Sequence, residues 1–255
     1  GNVSFSNVST LIDRLSSYDH ARLYNYALIQ DGSAPRFTDE DLQLFKSGTD
    51  PYGHPNTVWT DYIYRTGFMH KHNLNVSGGS EDVKYMVSTG FLGQEGTLRN
   101  SDRQQFNLRT NLDVKLSDKV NMRTNMAFIH NDYSDPNASY GGGYTQFIWQ
   151  ADRIAPWIPY KKEDGTYGSI SDGNPAAWID IDSRIFYKQQ NFTGSLAFDY
   201  SPIDDLTLTL QGAYVTDIKE TKDYRKECWY DAVNYHGPDQ LTETVDRWSR
   251  YTLDA

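Results

Sequence analysis

The sequence predicts an all-β fold: an antiparallel up-and-down meander forming a partial wall of a large transmembrane β-barrel, with short helices in the first long outer loop. Three observations predict it. Six segments alternate apolar and polar side chains with a period of two. Their connections are alternately short and long. No apolar run is long enough for a membrane-spanning helix. Successive side chains of a strand point to opposite faces, so each segment offers one face to hydrocarbon and one to water. Such strands on an up-and-down path are the sequence signature of a barrel wall.

In chain order, residues 1–9 read as the end of a strand, with Val3 and Phe5 on one face. Residues 10–67 form the first long loop and contain three helical patterns. Asp19 is placed to cap a helix that stops near Gly32. Thr38 and Asp41 have capping-box spacing before a helix over 39–46, with Gly48 just beyond. Residues 57–65 are a third candidate, ended by Gly67. A connection of this length with its own helices is more often functional than passive.

Residues 68–215 hold the barrel strands, interrupted by a long outer loop at 132–187. The clearest strand is 106–116. Phe106, Leu108, Thr110, Leu112, Val114 and Leu116 share one face; Asn107, Arg109, Asn111, Asp113 and Lys115 share the other. The same rule places Leu74 and Val76 opposite Asn73 and Asn75, and Val83, Tyr85 and Val87 opposite Lys84 and Ser88. It places Val120, Met122 and Phe128 opposite Asn121 and Arg123, Leu196 and Phe198 opposite Ser195 and Asp199, and Leu206, Leu208 and Leu210 opposite Thr207 and Thr209. The tight connections are 78–82, 117–118 and 201–205. Residues 216–247 read as a further outer loop, and 248–255 as the start of another strand. Short turns at one end and long loops at the other fit a membrane barrel. The alternative architecture is a soluble or surface β-sandwich that binds carbohydrate, with the apolar faces buried between two sheets.

The 255 residues carry a formal net charge of -10, which argues against nucleic acid as a partner. With Cys228 the sole cysteine, neither an internal disulfide nor a cysteine metal site is available. The 19 tyrosines and 6 tryptophans suit membrane interfaces and sugar-binding surfaces alike. Both ends read as cut, which suggests a piece of a longer exported protein.

The sequence also resembles a known family. His72-Asn-Leu-Asn-Val-Ser-Gly-Gly79, Tyr85, Ser88, Gln94-Glu-Gly96 and Asn107-Leu-Arg-Thr-Asn111 resemble the early barrel of SusC/RagA-type TonB-dependent outer-membrane transporters. Tyr18-Asp19-His20-Ala21 through Tyr24-Asn25, and Thr57-Val-Trp59 through Arg65-Thr-Gly67, resemble the first outer loop of that family. Pro159-Tyr160 through Asp164-Gly165 resembles a recurring loop element. The resemblance implies import driven through TonB, an N-terminal plug absent from this chain, and a SusD-like surface lipoprotein as lid. It implies oligosaccharide or peptide substrates, contact with outer-membrane lipid, a location in the outer membrane of a Gram-negative bacterium, and no enzymatic activity or cofactor. These strands alone would leave two open edges, which is untenable in lipid.

Loop 132–187 offers Tyr140, Tyr144, Trp149, Trp157, Tyr160 and Trp178 as candidate substrate contacts, with Asp152, Arg153 and Asn174 nearby. The plainer reading of each ring is packing within the loop. Arg109, Asp113, Lys115 and Arg123 would face the lumen and a plug, or would simply be solvated. His70 and His72 share a strand face but lack a third metal ligand. Asp132, Asp135 and Asn137 are spaced like calcium ligands, but Pro136 interrupts them and turn formation explains them better. Gly141, Gly142 and Gly143 lack the strand and helix context of a phosphate cradle. The glycosylation-like matches at Asn2, Asn75 and Asn191 are chance products of strands that alternate Asn with Ser or Thr. A glycosidase would need paired carboxylates facing one cleft, and the acidic residues are scattered.

Overall fold

The computed structural model describes residues 1–9, 13–138, 142–169 and 173–255. In chain order the elements are β1 (Asn2–Ser6), α1 (Ser17–Gln30), α2 (Asp39–Ser47), α3 (Trp59–Ile63), β2 (Gly67–Gly79), β3 (Val83–Glu95), β4 (Asp102–Ser117), β5 (Val120–Pro136), α4 (Gly143–Arg153), α5 (Pro175–Asp180), β6 (Arg184–Ile203), β7 (Leu206–Arg225), β8 (Cys228–Trp229), β9 (Tyr235–His236) and β10 (Gln240–Asp254). Eight strands form one antiparallel sheet in the order β1-β2-β3-β4-β5-β6-β7-β10, while β8 and β9 pair separately in the loop between β7 and β10. The expected meander is therefore present. The sheet is open, with β1 and β10 at its edges.

Ladder register shows which side chains share a face, because directly opposed residues point the same way. Phe91 opposes Phe106, and Leu108 opposes Phe128, which opposes Phe192. Met122 opposes Phe198, which opposes Leu210. These rows make one continuous apolar face. The other face carries the row Asn111, Asn125, Ser195, Ala213 and the pair Asp113 and Arg123. A β-sandwich would cover the apolar face with a second sheet. Instead Leu74 is 62% exposed, Leu210 50% and Leu253 75%. The sandwich alternative is thereby excluded: no second layer stacks on this face among the described residues.

Strand length departs from expectation. The long loop placed at 132–187 narrows to 137–183, because β5 continues to Pro136 and β6 begins at Arg184. The loop placed at 216–247 narrows to 226–239, because β7 runs to Arg225 and β10 begins at Gln240. The apolar alternation ends near Phe128 and Phe192, but the hydrogen-bond ladder does not. Beyond those residues the formerly apolar face carries His130, Asp132, Lys188 and Glu220. With both faces polar, period two leaves no trace in the sequence.

Turns of two or three residues, at 80–82, 118–119 and 204–205, close one end of the sheet, and every long connection lies at the other end. The long connections pack into a layer of their own. Helix α1 is capped by Ser16, whose side chain accepts from the Asp19 backbone N–H, so the cap lies three residues before the Asp19 predicted from sequence. The Thr38–Asp41 capping box opens α2 as expected, and Gly48 ends it with φ 67°, a left-handed conformation that costs glycine nothing. Helices also occur beyond the first loop, which the sequence reading did not anticipate. Helix α4 starts at Gly143 and is preceded by Gly142, residues that read as loop. Helix α5 has six residues, opened by Asn174, which accepts from the Ala177 N–H, and by Pro175. Trp59, Ile63, Phe147, Ile154, Trp178, Cys228 and Tyr230 form the buried apolar cluster. The core of the chain thus lies among the loops, and the sheet contributes an exposed wall. No helix of the described residues is long and apolar enough to cross a membrane.

Candidate functional site

Of the six aromatic residues predicted to contact substrate, the structure disperses the five it describes. Tyr140 lies outside the described residues. Tyr144 and Trp149 project from α4, 53% and 59% exposed. Trp157 packs edge-on against His20 and Tyr24, with ring centroids 4.5 and 5.4 Å away, and lies 4.9 Å from Phe37. It therefore joins the α1–α2 loop to the second loop. Tyr160 lies 4.4 Å from Tyr62, and its hydroxyl donates to the Asp180 carboxylate, which also pairs with Lys161 at 3.1 Å. Burial, then the Asp180 hydrogen bond, pushes the Tyr160 hydroxyl well above the usual phenol range. Trp178 is fully buried, and its Nε1 donates to the Tyr230 hydroxyl at 3.3 Å. Its predicted substrate contact is corrected, since a ring enclosed by the loop core offers no face to a ligand. Of their polar neighbours, Asn174 caps α5 and also donates to the Gly168 and Tyr160 carbonyls, while Asp152 accepts from Arg14. These are architectural contacts.

Arg109, Asp113, Lys115 and Arg123 do share the polar face of the sheet. Arg123 binds Asp199 through two hydrogen bonds, at 2.8 and 3.0 Å, and Asp199 accepts a third from Thr209 at 2.7 Å. Lys115 pairs with Asp118 at the short-turn end, at 2.6 Å. Asp113 stands between Lys84 and Arg123 in the ladders, and Arg109 between Ser88 and Ala127.

The same face continues toward the long loops in residues the period-two pattern did not reach. Tyr133 and Tyr187 are opposed in the β5–β6 ladder and stack nearly parallel, with centroids 4.5 Å apart and planes at 15°. The Lys219 ammonium lies 5.6 Å from the Tyr187 ring centroid. Arg103 donates to Gln105 Oε1 at 2.8 Å and to Asn131 Oδ1 at 3.2 Å. Gln189 and Asn191 both donate to Asp217, at 3.1 and 3.3 Å. A hollow of about 390 Å³ opens here, lined in part by Gln94, Arg103, Asn131, Tyr133, Asp135 and Gln189. The signal for it was the register of β5 against β6, which no local sequence pattern reveals.

Other sequence candidates do not converge. His70 Nδ1 and His72 Nε2 are 3.2 Å apart on the apolar face, and no group of three ligating side chains is assembled among the described residues. Asp132 and Asp135 lie on opposite faces of β5. Asp132 bonds to His130 and Asp135 to Ser101, while Asn137 donates to Asp223.

A single-layer meander with an exposed apolar face, a polar opposite face and loops massed at one end is the wall of a membrane β-barrel. Comparison with known proteins narrows this class. No family model matches the chain. The TonB-dependent receptor SusC of Bacteroides thetaiotaomicron is 30% identical over 222 residues, which cover 78% of this chain and 20% of that protein. A TonB-dependent receptor of Formosa agariphila is 28% identical over 159 residues, covering 60% of this chain and 15% of that protein. The RagAB peptide transporter matches 98% of this chain with a TM-score of 0.68 at 15% identity, over 31% of its own chain. The RagAB peptide importer in its open-open state gives the same TM-score. These matches identify the chain as similar to part of a SusC/RagA-type TonB-dependent transporter. The chain spans a fifth or less of the length of these two receptors.

Proposed function

We propose that the chain forms wall and loops of an outer-membrane importer driven through TonB. The apolar face meets lipid, the polar face meets an enclosed water space, and the long loops stand at the cell exterior. There they would receive an oligosaccharide or peptide from a SusD-like lipoprotein lid. TonB would act through a plug, and Arg109, Asp113, Lys115 and Arg123 would face that plug across the lumen. Edges β1 and β10 would pair with further strands, because unpaired backbone groups in hydrocarbon are too costly.

The observation that carries this reading is the exposed apolar face on a one-layer sheet. Its height supports it as well. From Phe106 to Leu116, ten steps of about 3.3 Å give about 33 Å along the strand. A tilt of about 40° reduces this to about 25 Å, the height of the apolar band in outer-membrane barrels.

The test places a nitroxide label at neighbouring positions of the intact transporter in lipid vesicles. Leu210→Cys and Gln211→Cys are made in a Cys228→Ser background. The label at 210 is expected to collide with oxygen dissolved in lipid, and the label at 211 with a water-soluble nickel chelate. Equal exposure of both positions to the chelate would remove the membrane reading.

A further inference from the structure

We propose that the polar face carries, on the loop side of the apolar band, a binding subsite for a hydroxyl-rich uncharged chain, an oligosaccharide. Its centre is Tyr133, with Asn131, Gln189, Arg103 and Asp135 around it. The placement of the subsite in the import path rests on the importer reading. The choice of ligand class rests on the chemistry of the hollow.

The hydrogen-bonding capacity left over in the hollow is mixed. Asn131 gives its carbonyl oxygen to Arg103 and keeps its amide N–H groups. Gln189 spends an N–H on Asp217 and keeps its carbonyl oxygen. Asp135 accepts from Ser101 through one oxygen and retains the other. Arg103 has further N–H groups beyond the two acceptors it holds. A hydroxyl both donates and accepts, so a wall that alternates donors and acceptors suits a row of hydroxyls. Arg103 and Asp135 carry opposite charges, and Asp102, which also lines the hollow, is held by Arg65 and Arg184, so the site does not favour a charged ligand.

Tyr133 supplies the apolar surface. The hollow reaches Tyr133 but not Tyr187, and Tyr187 with Lys219 behind it fixes the Tyr133 ring. A ring held in place before binding loses little entropy when a sugar face settles on it.

The backbone argues against a peptide at this site. Extended peptides are commonly recognised by adding a strand to an open sheet edge. Strands β4, β5 and β6 are all internal, so their backbone groups are engaged in ladders on both sides. The hollow has only side chains to offer.

Calorimetry on the intact transporter in detergent tests this. The probes are linear α-glucan, β-glucan, β-mannan and xylan oligosaccharides of six or more units, and a tryptic digest of casein as the peptide pool. At least one oligosaccharide is expected to bind. Tyr133→Ala and Gln189→Ala are expected to weaken it about tenfold, the loss of roughly one hydrogen-bond or stacking contact. Tyr133→Phe, which keeps the stack, is expected to lose less. Lys188→Ala, on the opposite face of β6, is expected to change nothing. Heat-modifiable migration on gels checks that each variant is assembled. Binding of casein peptides alone, binding of no oligosaccharide, or unchanged affinity in both Tyr133→Ala and Gln189→Ala would overturn the proposal. The nitroxide test of lipid exposure needs no ligand, so the importer reading can survive that failure.

Discussion

Phe106 lies directly opposite His130 in the β4–β5 ladder, and the chemistry of the apolar face changes at that pair. On one side lie Leu108, Phe128 and Phe192. On the other, Gln104, Asp132, Lys188 and Glu220 occupy consecutive strands. Their charges are balanced by neighbours: Lys188 lies 3.9 Å from Glu220, and Lys222 lies 2.9 Å from Glu243. Hydrocarbon tolerates no such belt, so the pair marks the height at which lipid gives way to water.

That boundary predicts a depth dependence. Leu112 sits near the middle of the apolar stretch of β4, and Gln190 is directly opposed to His130 at its border. Leu112→Arg should cost about 2–4 kcal/mol of folding stability in a bilayer, and Gln190→Arg about 0–1 kcal/mol. Urea titration of the transporter folded into vesicles measures both. Equal penalties would mean that the apolar face does not lie in hydrocarbon.

The same boundary explains what the sequence could reveal. Within the band, lipid on one side and water on the other impose alternation, and the strand around Leu108 and Leu112 is legible from its residues alone. Past His130 both faces are wet and the alternation disappears, so the ends of β5, β6 and β7 read as loop. The Thr38–Asp41 box was legible because both partners lie within one helical turn. The Tyr133–Tyr187 stack was not, since its partners are distant in sequence and meet only through strand register. Trp178 misled for a related reason. An aromatic residue in a long loop resembles a ligand platform until the loop is seen to have a core.

Trp178 and Cys228 provide a test of that core. Tyr230 is buried with both in one cluster, and its hydroxyl accepts from Trp178 Nε1. Burial pushes the thiol up to about 11. The native protein should therefore resist maleimide at pH 8. Trp178→Ala should cost about 3–5 kcal/mol within the loop layer and make Cys228 reactive, while Trp149→Ala, at an exposed site on α4, should not. Mass spectrometry of labelled protein reads the outcome. An unchanged labelling rate in Trp178→Ala would show that the loop layer does not depend on this ring.

His54 predicts a pH dependence of the first loop. Its Nδ1 lies 2.7 Å from Asp50 Oδ2 and its Nε2 lies 3.0 Å from Asp41 Oδ1. Two ionised carboxylates only accept, so both ring nitrogens must carry a proton and the ring is an imidazolium. Burial opposes this charge, but the hydrogen bonds that the ring donates to Asp50 and Asp41 outweigh it and the pKa rises above 6.5. Asp41 is lowered, first by the Thr38 backbone N–H and then by His54. Asp50 is lowered, first by the Gly53 backbone N–H and then by His54. A raised histidine stabilises the fold fully below its unfolded pKa and loses that contribution as pH climbs through the folded value. Depressed carboxylates lose theirs only as pH falls through their lowered values. The clasp should therefore hold across mildly acidic pH and open under alkaline conditions. Asp41 also belongs to the capping box of α2, so opening should loosen the helix start. Hydrogen exchange, corrected for its intrinsic pH dependence, should show residues 38–54 more protected at pH 5.5 than at pH 9. His54→Gln, which cannot carry the charge, should flatten that difference. Equal protection at both pH values in the native protein would mean that the imidazolium does not hold the loop.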